Sequence, residues 1–449
     1  MEQLNMLEEK PVLPLLMRMA IPPMISNLIM SMYNIVDSIF VAKIGQDAVT
    51  AVSLVYPIQN IILSIALGLG ISLASCISRY LGAKQTLVAN KIATHGIVFV
   101  GLHYIISILL GLFLINPFLS QFTSDSTITQ WGYDYAFIII LFSFSLLFEV
   151  AIENIFVATG KTALPMLTQG LGAITNIILD PILIFGLCGF PAMGVRGAAI
   201  ATVIGQIAGM LLAVFILKYK IKEVRINFRG FRISSSALKA IYSVSIPSTL
   251  MLAVPSIMVS ILNGILATIS QTAVATFGIF FKLQTFVYMP SYGLMQALRP
   301  VVGYNYGSKK WFRAEKAIKI SIVIISCIML FGMIFFELIP EQILTLFNAD
   351  AEMKSIGITA LRVISPAFII SAISITMTAV FEAVGRGVDS LIITLMRQLL
   401  VLPALAYIFG NSIGILGVWI SIPIAEIIAL ATSILLFYKF KKQAITSIT

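Results

Sequence analysis

Two aspartates in long apolar surroundings are the residues of this chain best placed to do chemistry. Asp37 follows Pro22 by about four helical turns, and Asp180 lies directly before Pro181. A carboxylate near a bilayer centre costs at least ~2.5–3.5 kcal/mol, so one kept there has a functional role by default. Asn176 precedes Asp180 by four residues, which is one turn on the same helix face. Pro181 removes a backbone hydrogen bond and frees a carbonyl near Asp180. Two carboxylates, an amide and a hydroxyl would make an all-oxygen donor set. Such a set suits a hard monovalent cation, Na⁺ for example, and a desolvated carboxylate can instead take up a proton. The plainer alternative for the aspartates is a helix-end cap or a polar bridge.

Other intramembrane charges leave two roles open. Glu149 and Glu153 lie one helical turn apart and face one way. They either line a central cavity that attracts cationic cargo or pair with a basic group. Lys282, Arg362, Glu382, Arg397 and Glu426 are expected to form ion pairs in the second half, since membrane charges find partners. Met251 and Met289, with Met24, Met258 and nearby tyrosines, suit a plastic apolar cavity. Pro22 and Pro247 should kink their helices.

These residues need a membrane scaffold. Hydrophobic residues make up 59% of the chain and charged ones 11%, with a net charge of +10 and a mean hydropathy of +1.02. A soluble domain carries roughly a quarter charged residues, so most of this surface must face lipid. About 20 apolar residues span a bilayer. Twelve such runs are expected, near 12–42, 50–80, 91–116, 128–158, 163–187, 192–217, 238–267, 273–304, 317–338, 352–383, 388–409 and 413–438. The basic residues crowd the even-numbered breaks and the tail, whereas the odd breaks hold only Lys43, Arg196 and Lys354. That asymmetry places both termini in the cytoplasm of a cell membrane and accounts for the positive charge without nucleic acid. The acidic start (Glu2, Glu8, Glu9) and long first run do not look like a cleavable signal peptide. Cys76, Cys188 and Cys327, with His95 and His103, form no zinc or disulfide pattern.

The chain also resembles itself at one constant offset. It pairs Pro22 with Pro247, Gln59 with Gln284, Gly68 with Gly293, Gly82 with Gly307, Lys84 with Lys309 and Gly160 with Gly385. Two parallel six-helix lobes are therefore expected, 1–217 and 238–449, joined by a basic linker over 218–237. Parallel repeats of this kind place the substrate site near the membrane midplane. The repeat fails at the aspartates. Position 262, the partner of Asp37, is Leu, and the partner of Asp180, aligned through Pro181 and Pro403, is Leu402.

Several strings resemble the multidrug and toxic compound extrusion (MATE) family. They are Tyr33-Asn34-Ile35-Val36-Asp37, Gly68-Leu69-Gly70, Arg79-Tyr80-Leu81-Gly82-Ala83-Lys84, Asn176-Ile177-Ile178-Leu179-Asp180-Pro181, the Gly194 to Thr202 stretch, and Gly303-Tyr304-Asn305-Tyr306-Gly307. The likeness covers essentially the whole chain and looks most like the bacterial branch with two acidic residues in the first lobe. It implies an all-α integral membrane fold of twelve helices. It also implies that Asp37, Asn176, Asp180 and Thr202 form a Na⁺ or proton coupling site, with Asn154 and Tyr33 as weaker additions, and that the first helix bends when its acid changes protonation. Some family members place a cation site in second-lobe carboxylates, but residues 238–281 here contain none.

The expected function is secondary active export of lipophilic, often cationic, drugs against inward Na⁺ or H⁺ by alternating access. The alternative is a lipid-linked saccharide flippase of the same superfamily, which should show a basic cavity. No Walker-type loop, paired metal ligands or nucleophile elbow appears, so neither ATP drive nor an enzyme is expected. The expected partners are small organic cations and membrane lipid. No organic cofactor is expected, and the protein should act as a monomer.

Overall fold

The computed structural model describes residues 2–347 and 349–446. It is built from α-helices: α1 (Glu2–Glu9), α2 (Val12–Ala42), α3 (Gln46–Gly82), α4 (Thr86–Leu119), α5 (Ser126–Leu141), α6 (Phe144–Ala158), α7 (Ala163–Phe185), α8 (Val195–Lys220), α9 (Ser235–Ala267), α10 (Gln271–Gly307), α11 (Trp311–Leu338), α12 (Pro340–Leu346), α13 (Ala351–Ile364), α14 (Ala367–Ala383), α15 (Gly387–Leu395), α16 (Leu402–Ile413) and α17 (Ile415–Thr446). A π-helical turn over Met396–Val401 joins α15 to α16 into one span. Among the described residues ten spans are long and apolar enough to cross a membrane, and two bent pairs bring the number to twelve.

The bent pairs fall in the runs at 128–158 and 352–383, which are longer than a bilayer needs and so had to tilt or kink, but the break points within them were not expected. The fourth span bends by 44° between α5 and α6, and the tenth by 51° between α13 and α14. Pro366 has no N–H for the helix ladder at the second break. At the first, the Ser143 hydroxyl donates to the Ile140 carbonyl at 2.8 Å, competing with the backbone ladder. The amphipathic helix α1 and the short α12 were not expected either. Both are too short for the span pattern to register.

Close helix approach explains several glycines, and it does so symmetrically. A Cβ on Gly68 of α3 would run into Thr249 of α9, and one on Gly293 of α10 would run into Met24 of α2. A Cβ on Gly82 would strike the backbone of Tyr304, and one on Gly307 that of Arg79. Each contact is the image of the other under the repeat offset, which carries 24 to 249 and 79 to 304. The second helix of each repeat thus packs on the other repeat. Lys84 and Lys309, one offset apart, both adopt left-handed backbone, with φ of 59° and 60°.

The face that carries the chain ends holds the two repeats together. Leu7 of α1 is 1% exposed, and its carbonyl accepts from Asn305 Nδ2 and Arg313 Nε, both at 3.1 Å. Glu8 accepts from Lys310 Nζ at 2.6 Å and from the Tyr304 hydroxyl at 3.3 Å. Arg79 Nη1 reaches the Val384 carbonyl at 2.7 Å. Between α8 and α9 the chain runs along α4. The amides of Arg225, Asn227 and Ser234 donate to Asn90, Thr94 and His95 Nε2 at 2.7, 3.1 and 3.1 Å. His95 Nδ1 meets the Lys91 carbonyl at 2.8 Å. This histidine is therefore a strut for the connection.

Candidate functional site

Helices α2, α7 and α8 bring the two aspartates together. Asp37 of α2 faces Asp180 of α7 within hydrogen-bonding range. Asp180 and Asn176 are 0% and 1% exposed. Asn176 Nδ2 donates to Asp180 Oδ1 at 3.3 Å and to Thr202 Oγ1 of α8 at 3.4 Å. One turn of α7 thus presents the amide and the carboxylate on one face, as their spacing requires. Tyr33 approaches Thr202 and both aspartates. Tyr135 of α5 does the same, and its hydroxyl accepts from Gln59 Nε2 of α3 at 3.3 Å.

The cluster is rich in acceptors. Asp37 Oδ1, Asp180 Oδ2 and Asn176 Oδ1 are all buried without a hydrogen-bond donor. Leaving a buried polar group unsatisfied costs about 1–3 kcal/mol, more when it is charged. Three such oxygens together fit a small hard cation or a proton shared between the aspartates. The surrounding side chains named above are neutral, so none of them cancels the charge.

Five of the six coupling residues expected from sequence meet here: Tyr33, Asp37, Asn176, Asp180 and Thr202. Asn154 has other partners. Its Nδ2 donates to the Val150 carbonyl of its own helix at 2.8 Å, and its amide abuts Gly70 of α3. Sequence reasoning missed Gln59 and Tyr135. Gln59 had a signal, since it is a polar residue in an apolar run and is repeated as Gln284. Tyr135 had none.

A second acidic group lies in the same half. Glu149 and Glu153 are 6% and 4% exposed. Glu153 accepts from Thr168 Oγ1 at 2.5 Å and Gln169 Nε2 at 2.8 Å, so both of its oxygens are engaged. Gln169 in turn accepts from Ser26, one turn beyond Pro22 on α2. Glu149 lies against Gly209 of α8. Neither glutamate is paired with a basic side chain in these contacts. Met289 receives the Ser31 hydroxyl at 3.4 Å between α10 and α2, and Met251 is partly exposed on α9.

The second half holds ion pairs instead. Arg397 Nη1 meets Glu426 at 3.5 Å, and Arg299 Nε meets Glu382 at 2.7 Å. Ser248 also donates to Glu382, at 2.8 Å. The expected pairing thus forms for Arg397, Glu426 and Glu382. Arg299 was the unrecognised partner, and Lys282 and Arg362 belong to neither pair.

With this geometry in place, the chain can be set beside known proteins. The MatE family model matches it twice, at residues 22–182 and 247–408. It is 27% identical over 452 residues to the multidrug export protein MepA of Staphylococcus haemolyticus, covering 98% of this chain and 97% of that protein. It is 26% identical over 424 residues to an FAD transporter of Shewanella oneidensis, covering 93% and 92%. Its fold superposes on a solved MATE structure in a bent conformation with a TM-score of 0.93 at 28% identity, and on one in a straight conformation with 0.90. Both superpositions cover 100% of this chain and 99% of the other. The two matched segments begin one repeat offset apart, at Pro22 and Pro247, and the first takes in Asp37, Asn176 and Asp180; on that ground the chain belongs to the MatE family.

Proposed function

We propose that this multi-pass membrane protein is a secondary multidrug exporter. Na⁺ or H⁺ entering the Asp37–Asp180 cluster drives a change of access that expels lipophilic, often cationic, compounds. The observation that carries this reading is the group of three buried, donor-free oxygens on Asp37, Asn176 and Asp180. An ion moves a conformational equilibrium only through different affinity for its two states. A site shared by α2, α7 and α8 meets that need, because its geometry changes whenever α2 moves.

Kinship with MepA proteins supports drug export. The FAD transporter relative offers a phosphate-bearing cargo instead. Four first-half carboxylates, at Asp37, Glu149, Glu153 and Asp180, disfavour phosphate there, as they disfavour the pyrophosphate of a lipid-linked saccharide. The concentration of Lys and Arg on the face of the chain ends supports cytoplasmic termini.

The deciding experiment uses vesicles reconstituted with the full chain and loaded with a fluorescent cationic dye. A Na⁺ gradient at fixed pH, and a pH gradient without Na⁺, separate the two ions. Asp37→Asn and Asp180→Asn should insert normally and lose gradient-driven efflux. Wild-type efflux in both variants refutes the coupling site.

A further inference from the structure

The second half contains a cavity of about 90 Å³ at the place equivalent to the ion cluster of the first half. The repeat relation shows this residue by residue. Met258, Leu262 and Gln284 line the cavity and are the repeat partners of Tyr33, Asp37 and Gln59, at the offset that carries Pro22 to Pro247. Gln398 and Leu402, also in its wall, are the partners of Asn176 and Asp180 once the three-residue deletion before Pro403 is taken into account. The amide position is kept as an amide, and both carboxylate positions have become leucine.

Two charges have entered this cavity from positions where the first half has none. Arg397 stands where the first half has Thr175, and Glu426 where it has the uncharged Gln206, counted from the glycines Gly194 and Gly414 that precede α8 and α17. The π-helical turn over Met396–Val401 carries Arg397 and Gln398. Such a turn widens the helix and is frequently found at functional sites. Glu426 is 7% exposed. Its Oε2, Gln398 Oε1 and Arg397 Nε are buried without partners, so the pair is only partly satisfied. Tyr288 and Tyr292 are the other titratable groups in the wall, and the Tyr288 hydroxyl contacts Ser371 Oγ at 2.7 Å.

We propose that this cavity is a second cation site whose cation is the chain's own guanidinium. Arg397 occupies, permanently and covalently, the role that an ion from solution plays between Asp37 and Asp180; this rests on the reading of that cluster as an ion site. The second half therefore exchanges no ion, and coupling uses one site per chain. It follows that removing the guanidinium while keeping Glu426 creates an exchangeable site. Glu426 and Gln398 supply oxygen ligands for a monovalent cation, and the cavity has room for one.

The test is cation-dependent thermal stability of the purified full-length protein in detergent, with guanidinium and Na⁺ at low millimolar concentration. Arg397→Ala should gain a saturable stabilisation by guanidinium, with an apparent affinity about tenfold or more above that of wild type. Arg397→Ala with Glu426→Gln should lose that gain. The gain should persist in a background of Asp37→Asn with Asp180→Asn, which separates this outcome from failure of the first-half site. The apolar pair Arg397→Leu with Glu426→Leu, which replaces a buried ion pair by packing, should fold and keep wild-type gradient-driven efflux. No guanidinium or Na⁺ response in Arg397→Ala beyond that of wild type overturns the proposal. So does loss of ion-driven efflux in a folded double-leucine protein. If Arg397→Ala does not fold, the double-leucine efflux decides alone.

Discussion

Replacing Asp180 by Asn removes one negative charge from the cluster and nothing else of similar size. Asn keeps the shape, and its carbonyl oxygen can still accept from Asn176 as Oδ1 does now, at 3.3 Å. A unit charge beside a bound cation contributes ~4 kcal/mol at ~4 Å and an effective dielectric near 20. The retained amide oxygen offsets about half of that, leaving a loss of ~2 kcal/mol, or roughly 30-fold in ion affinity. The assay is the ion concentration giving half-maximal dye efflux from vesicles, with melting temperature in detergent as the control for folding. The variant should need about 30-fold more ion, or show no drive at all, while melting no lower than wild type without ion. Neutralising one of two facing carboxylates relieves their repulsion, so stability should not fall. Asn154→Ala is the contrast, because that amide is bound to Val150 and packs at Gly70. A half-maximal concentration for Asp180→Asn within about twofold of wild type refutes the reasoning, because ~2 kcal/mol cannot vanish into that range.

Three further outcomes are expected. The Lys310 ammonium hydrogen-bonded to Glu8 holds that carboxyl below its usual range, against a smaller opposing push from burial. Its contribution to docking α1 is thus present above the ordinary carboxylate pKa near 4.3 and is lost as pH falls through the lowered value; Glu8→Gln should abolish that acid-side dependence in the hydrogen-exchange protection of the α1 amides. Removing one member of the buried Arg299–Glu382 pair should cost about 3–5 kcal/mol, while Arg299→Met with Glu382→Leu should recover most of it, read as melting temperature. Cys188 is exposed in the turn between α7 and α8, on the face opposite the chain ends; a membrane-impermeant maleimide added to intact cells should label it, and labelling only after lysis would reverse the assigned orientation.

Much of this was legible in the residue order because lipid imposes a single rule on long segments. The expected span at 12–42 is α2 to the residue, and 163–187 and 238–267 differ from α7 and α9 by a few positions. The breaks at Ser143 and Ser365 were not legible, since hydropathy continues unchanged through a bent helix. Asp37, Asn176 and Asp180 were legible as unusual residues in apolar runs. Tyr135 and the paired role of Arg299 were not, because neither depends on a spacing within one helix. Each needs a neighbour from a distant segment: Gln59 for Tyr135, and Glu382 for Arg299.

On the proposed reading, the arrangement of α2 against α7 shows where an ion would act. The two helices run side by side and touch at two polar rungs. Ser26 meets Gln169 at one, and Asp37 faces Asp180 at the other. The rungs are equally spaced on both helices, about three turns apart, so they share a face. The lower rung is neutral, lies one turn from Pro22, and leads on to Glu153. Its attraction does not depend on an ion. The upper rung is different: two facing carboxylates repel, and the same pair around a cation or a proton attracts. It lies about four turns beyond Pro22, a lever of about 22 Å at roughly 1.5 Å per residue. Two prolines in α2, Pro22 and Pro23, remove ladder bonds at the base of that lever. The ion thus acts at the end of the arm, where a small angular change gives the largest displacement. The first repeat has this rung and the second has leucines in its place, so only one of the two proline-bearing repeat helices, α2 rather than α9, has an ion to answer to.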